Sequence, residues 1–320
     1  MNEKITLPQW RGYDAISGRL TPVKESLLAR AGEHAKFLAI NNIENRLAAL
    51  PPYDRARPYS QLKRSLAALD VELCASIGER AALLVALAML LYLIATHESR
   101  WSEENLDVRL KPEFVDSYHR ILDFVERGGS SSMRMNQDNY AKEFAICLHR
   151  LIPGGGQLID PGGGIGRRIL VRPPAAGLPR KIWYMVVTCG GFSPFAEFHT
   201  HQRMRHLFTA DAWEYSFRLL PLVFRSYPSL KGVVGASWFF DPQVASITPS
   251  LGFVRNVSER WGGIIMRDAV YPSTTADAIS MGGPRRERHE QGKYYPVSYV
   301  MVAAKSRILE HAADLGELPL

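Results

Sequence analysis

Residues 232–255 read GVVGASWFFDPQVASITPSLGFVR, and this stretch indicates the class of fold. Its first part, from Gly232 to Phe240, is continuously apolar, as is typical of a strand that is buried on both faces. Asp241-Pro242 then combines an N-cap residue with a proline at the first helical position, which predicts a short helix to about Ile247. A buried strand that leads into a capped helix is typical of a sheet packed against helices.

The segments on either side of this strand alternate between helical and strand patterns. Apolar residues recur at helical spacing between Asp211 and Tyr227, and Thr209 or Asp211 can cap that helix. Short apolar runs predict further strands at residues 168–172, 181–188, 196–199, 252–257, 263–270 and 295–303, and a last helix is expected over about 305–315. The second half is therefore predicted to be mixed α/β (α+β).

The first half of the chain has helical patterns throughout. Helices are expected within residues 22–50, 59–69, 81–96, 112–126 and 138–151. The run AALLVALAMLLYLIAT at 81–96 is the most apolar, but its length of about 16 residues is short of the ~20 that span a bilayer. Charged residues flank it on both sides. We therefore expect a buried core helix and no membrane partner.

Between these halves lies a segment rich in glycine and proline, which cannot form a regular helix. The predicted organisation is a helical domain at 1–152, a Gly/Pro-rich joint at 153–180 and an α/β domain at 181–320.

The amino-acid composition limits the classes of ligand and the cellular compartment that we expect. The 320 residues carry 39 basic and 32 acidic side chains, a net charge of +7, which favours anionic ligands such as phosphates or a CoA-like molecule. Nucleic acid is not expected, because no long basic groove interleaved with aromatic residues is evident. Three distant cysteines and a start without an apolar leader favour a reduced, cytoplasmic protein.

The glycine run DPGGGIGRR at 160–168 is a candidate phosphate loop. Consecutive glycines let backbone N–H groups converge on phosphate oxygens, and two arginines add charge. The candidate cofactor-binding residues are Gly162, Gly163, Gly164, Gly166, Arg167 and Arg168. The run lacks the GK[ST] of a Walker loop, and a strand rather than a helix is predicted after it. A flexible turn between domains is the alternative.

A second candidate is Glu197-Phe198-His199-Thr200-His201. On a strand the side chains of Glu197, His199 and His201 would share one face, because the repeat is two residues. Such a face could ligate a divalent metal ion. One histidine could instead act as a general base, or both could be structural or surface residues.

The end of the main strand is a third candidate. Ser237 and Asp241 lie where ligands of open α/β sheets tend to bind, outside the carboxyl ends of strands. The alternative is structural, with Asp241 capping the helix and Trp238 packing in the core. A basic patch at 285–289 could hold a phosphate or an acidic carrier domain, or it could be a solvated face.

Residues 199–260 together resemble the C-terminal domain of the GNAT-like (N-acetyltransferase-like) acyltransferases of bacteria. The shared features are a histidine after a strand, a serine-bearing helix, a tyrosine-proline end and an SW-x-x-DP segment. In this chain they are His199, Ser216, Tyr227-Pro228, Ser237, Trp238, Asp241, Pro242, Pro249 and Arg255, whereas Leu251-Gly252-Phe253 replaces the Ser-Asn-Ile of the family. The family also has a helical N-terminal part.

The resemblance implies a partly splayed central sheet and acyl transfer from CoA or a carrier thioester to a small-molecule amine or hydroxyl. An acyl-CoA would be the co-substrate, and an acyl carrier protein could be a partner. Under this hypothesis His199 or His201 removes the proton of the acceptor. Asp241 orients nearby groups, and Ser237 lies at the same site. Trp238 and Arg255 contact the substrate. The alternatives are a metal-dependent enzyme built on Glu197, His199 and His201, and a non-catalytic binding protein with an acyltransferase-like domain.

Overall fold

The structure is a computed structural model that describes residues 13–50, 59–128, 133–172, 177–280 and 283–316. The chain forms two compact units. The first comprises residues up to 153 together with 201–203, and the second comprises 154–200 and 204–320. The division after residue 153 falls inside the glycine-rich segment, next to the predicted end of the helical domain at 152.

The first unit is helical. Its elements are α1 (Tyr13–Ala31), a 3-10 segment (Gly32–Leu38), α2 (Ile40–Ala49), α3 (Tyr59–Ile77), α4 (Glu79–Ala95), α5 (His97–Glu103), α6 (Lys111–Glu126) and α7 (Asp138–Cys147). The apolar run forms α4, whose 17 residues are buried on nearly every side, from Ala81 to Ile94. Among the described residues, none of the helices combines the length and apolar content needed to cross a membrane.

The second unit is mixed α/β, as the sequence predicts. Its strands are β2 (Gln157–Gly163), β3 (Phe195–His199), β4 (Gly232–Ser237), β5 (Ile264–Arg267) and β6 (Tyr299–Ala304), and the short β1 (Ile152–Gly154) includes the last residues of the first unit. Its helices are α8 (Leu178–Trp183), α9 (Ala210–Ser226), α10 (Pro242–Ile247), α11 (Phe253–Arg260), α12 (Pro272–Ser280), α13 (Gly283–Glu290) and α14 (Lys305–Asp314). The predicted strands at 196–199, 232–240, 263–270 and 295–303 are thus present, with shifted ends.

The six strands form one sheet in the order β1-β2-β3-β4-β6-β5. The pairs β2–β3, β4–β6 and β5–β6 are antiparallel, whereas β3 and β4 run parallel and are connected through α9. Gly232, the first residue of β4, has a φ of +156°, and a Cβ there would lie 2.1 Å from the Ala303 oxygen of β6. Only glycine lets the two backbones approach this closely.

The two faces of the sheet bury different residues. One face packs on a core made of Ile165, Ile169, Met185, Cys189, Phe195, Val234, Met266, Val300, Val302 and Ala304. On the other face, Phe198 of β3 makes edge-to-face contacts with Trp213 and Phe217 of α9. Phe195 and Phe198 therefore identify the two faces of β3, and we call them the Phe195 face and the α9 face.

Three predicted strands are wrong. Residues 181–188 continue α8 and then form a π-helical turn, and of this turn only Met185 is buried. Pro179 at the start of α8 is the helix signal that the apolar run obscured. Residues 168–172 lie mostly in a 3-10 segment, and 252–257 lie mostly in α11, where Val254, Val257 and Ser258 are buried at helical spacing.

The prediction that residues 153–180 form only a joint between the two domains is also wrong. Residues 157–163 form β2, which pairs with β3 inside the sheet. Proline and glycine are accommodated here because the register of β2 on β3 shifts between Asp160 and Gly163.

Candidate functional site

The parallel pair β3–β4 is joined over only a short distance. Its register consists of two residue pairs, Ala196 with Val233 and Glu197 with Val234. Beyond them β3 continues on β2 as far as His199, and β4 continues on β6 as far as Ser237. The carboxyl ends of β3 and β4 therefore have partners on their outer sides and are not paired with each other. We call the region between residues 198–199 and 235–237 the β3–β4 gap.

An acid–base pair lies at this gap. The Nε2 of His199, at the end of β3, is 3.7 Å from the Oδ2 of Asp160 in β2. Asp160 is fully buried, whereas the His199 side chain keeps 19% exposure. Asp160 is opposite Glu197 in the register, and His199 follows Glu197 by two residues. The side chains of Asp160, Glu197 and His199 therefore belong to the Phe195 face. A carboxylate beside an imidazole is an arrangement that orients a histidine as a general base.

The gap is accessible on that same face. Ala236 follows Val234 by two residues, so it also belongs to the Phe195 face, and it is exposed. The imidazole of His199 and the exposed end of β4 at Ala236 therefore lie on the same side of the sheet.

His201 does not join this pair. Strand β3 ends at His199, and residues 201–203 belong to the helical unit. There the Nδ1 of His201 accepts the Arg203 backbone N–H at 3.1 Å, while its Nε2 lies 3.2 Å from Glu143. The side chain is fully buried.

The structure does not bring the three proposed metal ligands together. Because β3 ends before His201, the expected shared face of Glu197, His199 and His201 does not form, and that expectation is wrong. In the part of the chain that the structure describes, no three His, Cys, Asp or Glu side chains are grouped closely enough to hold a metal ion.

Glu143 lies at the centre of the buried cluster that holds His201. Arg120 donates a hydrogen bond to the same carboxylate, which is fully buried. Burial by itself would raise the pKa of Glu143, but Arg120 and His201 outweigh burial and lower that pKa to about 2.

This pKa predicts a loss of stability in acid. The usual pKa of a glutamate is 4.5, so the unfolded chain takes up the proton before the folded chain does. The stabilisation is complete above about pH 5 and is lost as the pH falls toward 2. Thermal unfolding between pH 5 and pH 3 should show a steeper fall in Tm for the wild type than for Glu143→Gln. Equal slopes would contradict the assignment.

Ser237 and Asp241 lie on the other side of the sheet from His199. Ser237 is three residues after Val234 and therefore faces α9. Its Oγ accepts the Phe239 N–H at 3.2 Å, and Asp241 accepts the N–H groups of Gln243 at 3.0 Å and Val297 at 3.3 Å. Burial raises the pKa of Asp241, although these two N–H donors oppose the shift. Both side chains shape the turn after β4, and the predicted cap is confirmed.

Substitution of Asp241 separates capping from catalysis. Gln243 and Val297 donate to different oxygens of the carboxylate, so asparagine keeps an acceptor for only one of them, whereas alanine removes both. We expect Asp241→Ala to cost about 1–3 kcal/mol of unfolding free energy and Asp241→Asn to cost less, because the helix cap on Gln243 is kept. Chemical denaturation measures both values. Equal losses in the two variants would show that this cap does not stabilise the turn.

Trp238 and Arg255 also make internal contacts. The Arg285 guanidinium lies 4.8 Å from the centroid of the Trp238 ring, and Arg285 in turn donates to the Ala278 carbonyl and the Thr248 hydroxyl. Arg255 pairs with Glu259 at 2.9 Å. The structure therefore brings Trp238, Asp241 and Arg255 to the end of β4, but His199 is on the opposite face.

In the glycine run at 160–168, Gly162 and Gly163 have structural roles in β2. The Gly162 N–H donates to Oδ1 of Asp160 at 2.8 Å, which fixes the carboxylate. A Cβ on Gly163 would lie 2.6 Å from the Glu197 Cβ, closer than real Cβ contacts allow. The remaining candidates, Gly164, Gly166, Arg167 and Arg168, are exposed.

A matched pair of substitutions tests this interpretation. Gly163→Ala must push β2 away from β3, and we expect it to cost about 1–3 kcal/mol. Gly164→Ala meets its nearest neighbour at 3.5 Å, so its effect should stay within about 0.5 kcal/mol. Urea unfolding compares the two. Equal effects would mean that the approach of the strands does not require the glycine.

The sequence did not identify Asp160 as a partner of His199. The two residues are brought together by the β2–β3 register, and local patterns carry no signal for such pairing. A second buried group was also missed. In the helical unit, His97 Nδ1 lies 2.7 Å from His149 Nε2 and 2.6 Å from the Tyr118 hydroxyl, and His149 Nδ1 is 3.1 Å from Glu104. Burial, and then His149, lowers the pKa of His97 to about 3, so this ring is neutral at pH 7.

Comparison with protein-family models, curated proteins and solved structures finds no match for this chain.

Proposed function

We propose that the second unit binds an acyl thioester in the β3–β4 gap and transfers the acyl group to a small-molecule amine or hydroxyl. The observation that carries the proposal is the end of the parallel β3–β4 pairing after two paired residues, with His199 and Asp160 beside the unpaired strand ends. The resemblance of residues 199–260 to GNAT-like acyltransferases is a second, independent support.

The gap suits a donor with an extended, amide-bearing arm. Inner-edge N–H and C=O groups of residues 198–199 and 235–237 are not used by the β3–β4 register. An extended chain can add to such strand edges through backbone hydrogen bonds. The arm shared by CoA and acyl carrier proteins has two amide groups and ends in the thiol, so this geometry fits either donor.

The chemistry requires a base and no protein nucleophile. The acceptor nitrogen or oxygen attacks the thioester carbonyl and gives its proton to Nδ1 of His199. The new C–N or C–O bond forms, the C–S bond breaks, and the thiolate leaves and is protonated. Asp160, 3.7 Å from Nε2, stabilises the imidazolium that forms. Backbone N–H groups at the end of β4 would stabilise the oxyanion.

Calorimetry with acetyl-CoA, malonyl-CoA and longer acyl-CoAs tests donor binding on the full chain. Saturable heat at micromolar concentrations is expected, together with weaker binding in Ala236→Phe, which places a ring at the gap. Ala313→Phe, at an exposed alanine of α14, is the matched control and should bind as the wild type does. Absence of heat at about 1 mM of every thioester would overturn the proposal.

A further inference from the structure

The helical unit contains a cavity that the proposed function does not use. Its volume is about 290 Å³, and it lies among α1, the following 3-10 segment, α2 and α4. Its walls are formed by Leu20, Thr21, Lys24, Leu27, Leu28, Leu38, Ile40, Ile43, Ala88, Leu91, Tyr92 and Ala95.

The floor and the rim of this cavity differ in exposure. Leu27 and Ile43 are 2% exposed and form part of an aliphatic floor. At the rim, Leu28 and Ile40 are 38% and 55% exposed, which is high for large aliphatic side chains. An apolar ligand in the cavity would remove this surface from water, and such burial is the main source of affinity for apolar ligands.

One charge accompanies this apolar surface. Lys24 is the single charged side chain among the twelve that line the cavity, and it is exposed at the rim beside the Thr21 hydroxyl. An ammonium and a hydroxyl at the mouth of an aliphatic cavity are complementary to an anionic head group on an aliphatic chain. The remaining polar lining group, the Tyr92 hydroxyl, donates to Glu44 at 2.9 Å.

The volume limits the length of the chain. A cavity of about 150 Å³ holds benzene, with its six heavy atoms, so about 290 Å³ accommodates roughly ten to twelve heavy atoms. We propose that this cavity is a binding site for a straight-chain carboxylate of about eight to ten carbons, with its tail between α1 and α4 and its carboxylate at Lys24. The proposal does not rest on the acyltransferase function.

A series of fatty acids tests the site on the full chain. Calorimetry with hexanoate, octanoate, decanoate and dodecanoate should show about fourfold tighter binding for each added methylene up to decanoate, and a smaller gain beyond it. Decanol, which lacks the charge, should bind several-fold more weakly than decanoate. No binding of octanoate or decanoate, or affinity that keeps rising equally to dodecanoate, would overturn the proposal.

Variants locate the binding. Lys24→Gln should remove the preference for decanoate over decanol, whereas Lys36→Gln, at an exposed lysine outside the lining, should retain it. Ala88→Phe should fill the cavity and reduce decanoate affinity at least tenfold, with the helical circular dichroism unchanged. If Ala88→Phe does not fold, Lys24→Gln alone decides, because its side chain is exposed and its loss does not disturb the core. Undiminished selectivity in Lys24→Gln would refute the head-group assignment.

Discussion

Glutamine in place of His199 is expected to lower kcat for acyl transfer by about 10² to 10⁴-fold, because general base catalysis contributes that much. Glutamine fills similar space but cannot take up the proton. Donor binding does not use the imidazole, so the dissociation constant for acetyl-CoA should change less than about twofold. The readout is the release of free thiol from acetyl-CoA with a series of primary amines.

Folding and donor binding separate a base from a structural residue. His199→Gln should keep the circular dichroism spectrum and the acetyl-CoA affinity of the wild type while its rate falls. His34→Gln, a histidine substitution in the helical unit, is the matched control and should leave the rate unchanged. Equal rates for wild type and His199→Gln would exclude His199 as the base.

Removal of Glu143 is expected to destabilise the helical unit strongly. Alanine leaves the partly buried Arg120 guanidinium and the fully buried His201 side chain without the carboxylate that lies beside both. Breaking a buried ion pair from one side costs about 3–5 kcal/mol. Urea denaturation followed by circular dichroism should show this as a large decrease in the midpoint.

Glu126→Ala provides the comparison. Glu126 also pairs with an arginine, Arg19, at 3.0 Å, but its side chain is 43% exposed. Exposed pairs of this kind contribute about 0–1 kcal/mol. If the two variants lose similar stability, burial does not determine the strength of the Glu143 cluster.

The sequence predicted the parts of this fold that are encoded locally. The helix at α9 follows from its amphipathic pattern, and the Asp241 cap follows from a proline at the next position. The strand assigned to 181–188 failed because its apolar residues do not distinguish a strand from a helix that is partly exposed. Trp183, Val186 and Val187 are in fact exposed, so hydrophobicity there did not indicate burial.

The candidate site could be predicted only in part, because it depends on pairing between distant segments. The sequence indicates His199 as one of two possible bases and gives Asp241 the role of orienting nearby groups, whereas in the structure Asp160 lies beside His199. The register of β2 on β3 brings Asp160 to His199, and alternation along β4 sends Ser237 to the other face. A shared face for His199 and His201 requires strand alternation to continue past the predicted strand at 196–199, and β3 ends at His199.

Backbone hydrogen exchange with and without acetyl-CoA tests the central claim most directly. If the donor lies between β3 and β4, added protection should concentrate in peptides that cover residues 195–199 and 232–237, and it should be reduced in Ala236→Phe. Saturable binding of acetyl-CoA with no change in protection in either strand would contradict a donor site in the β3–β4 gap.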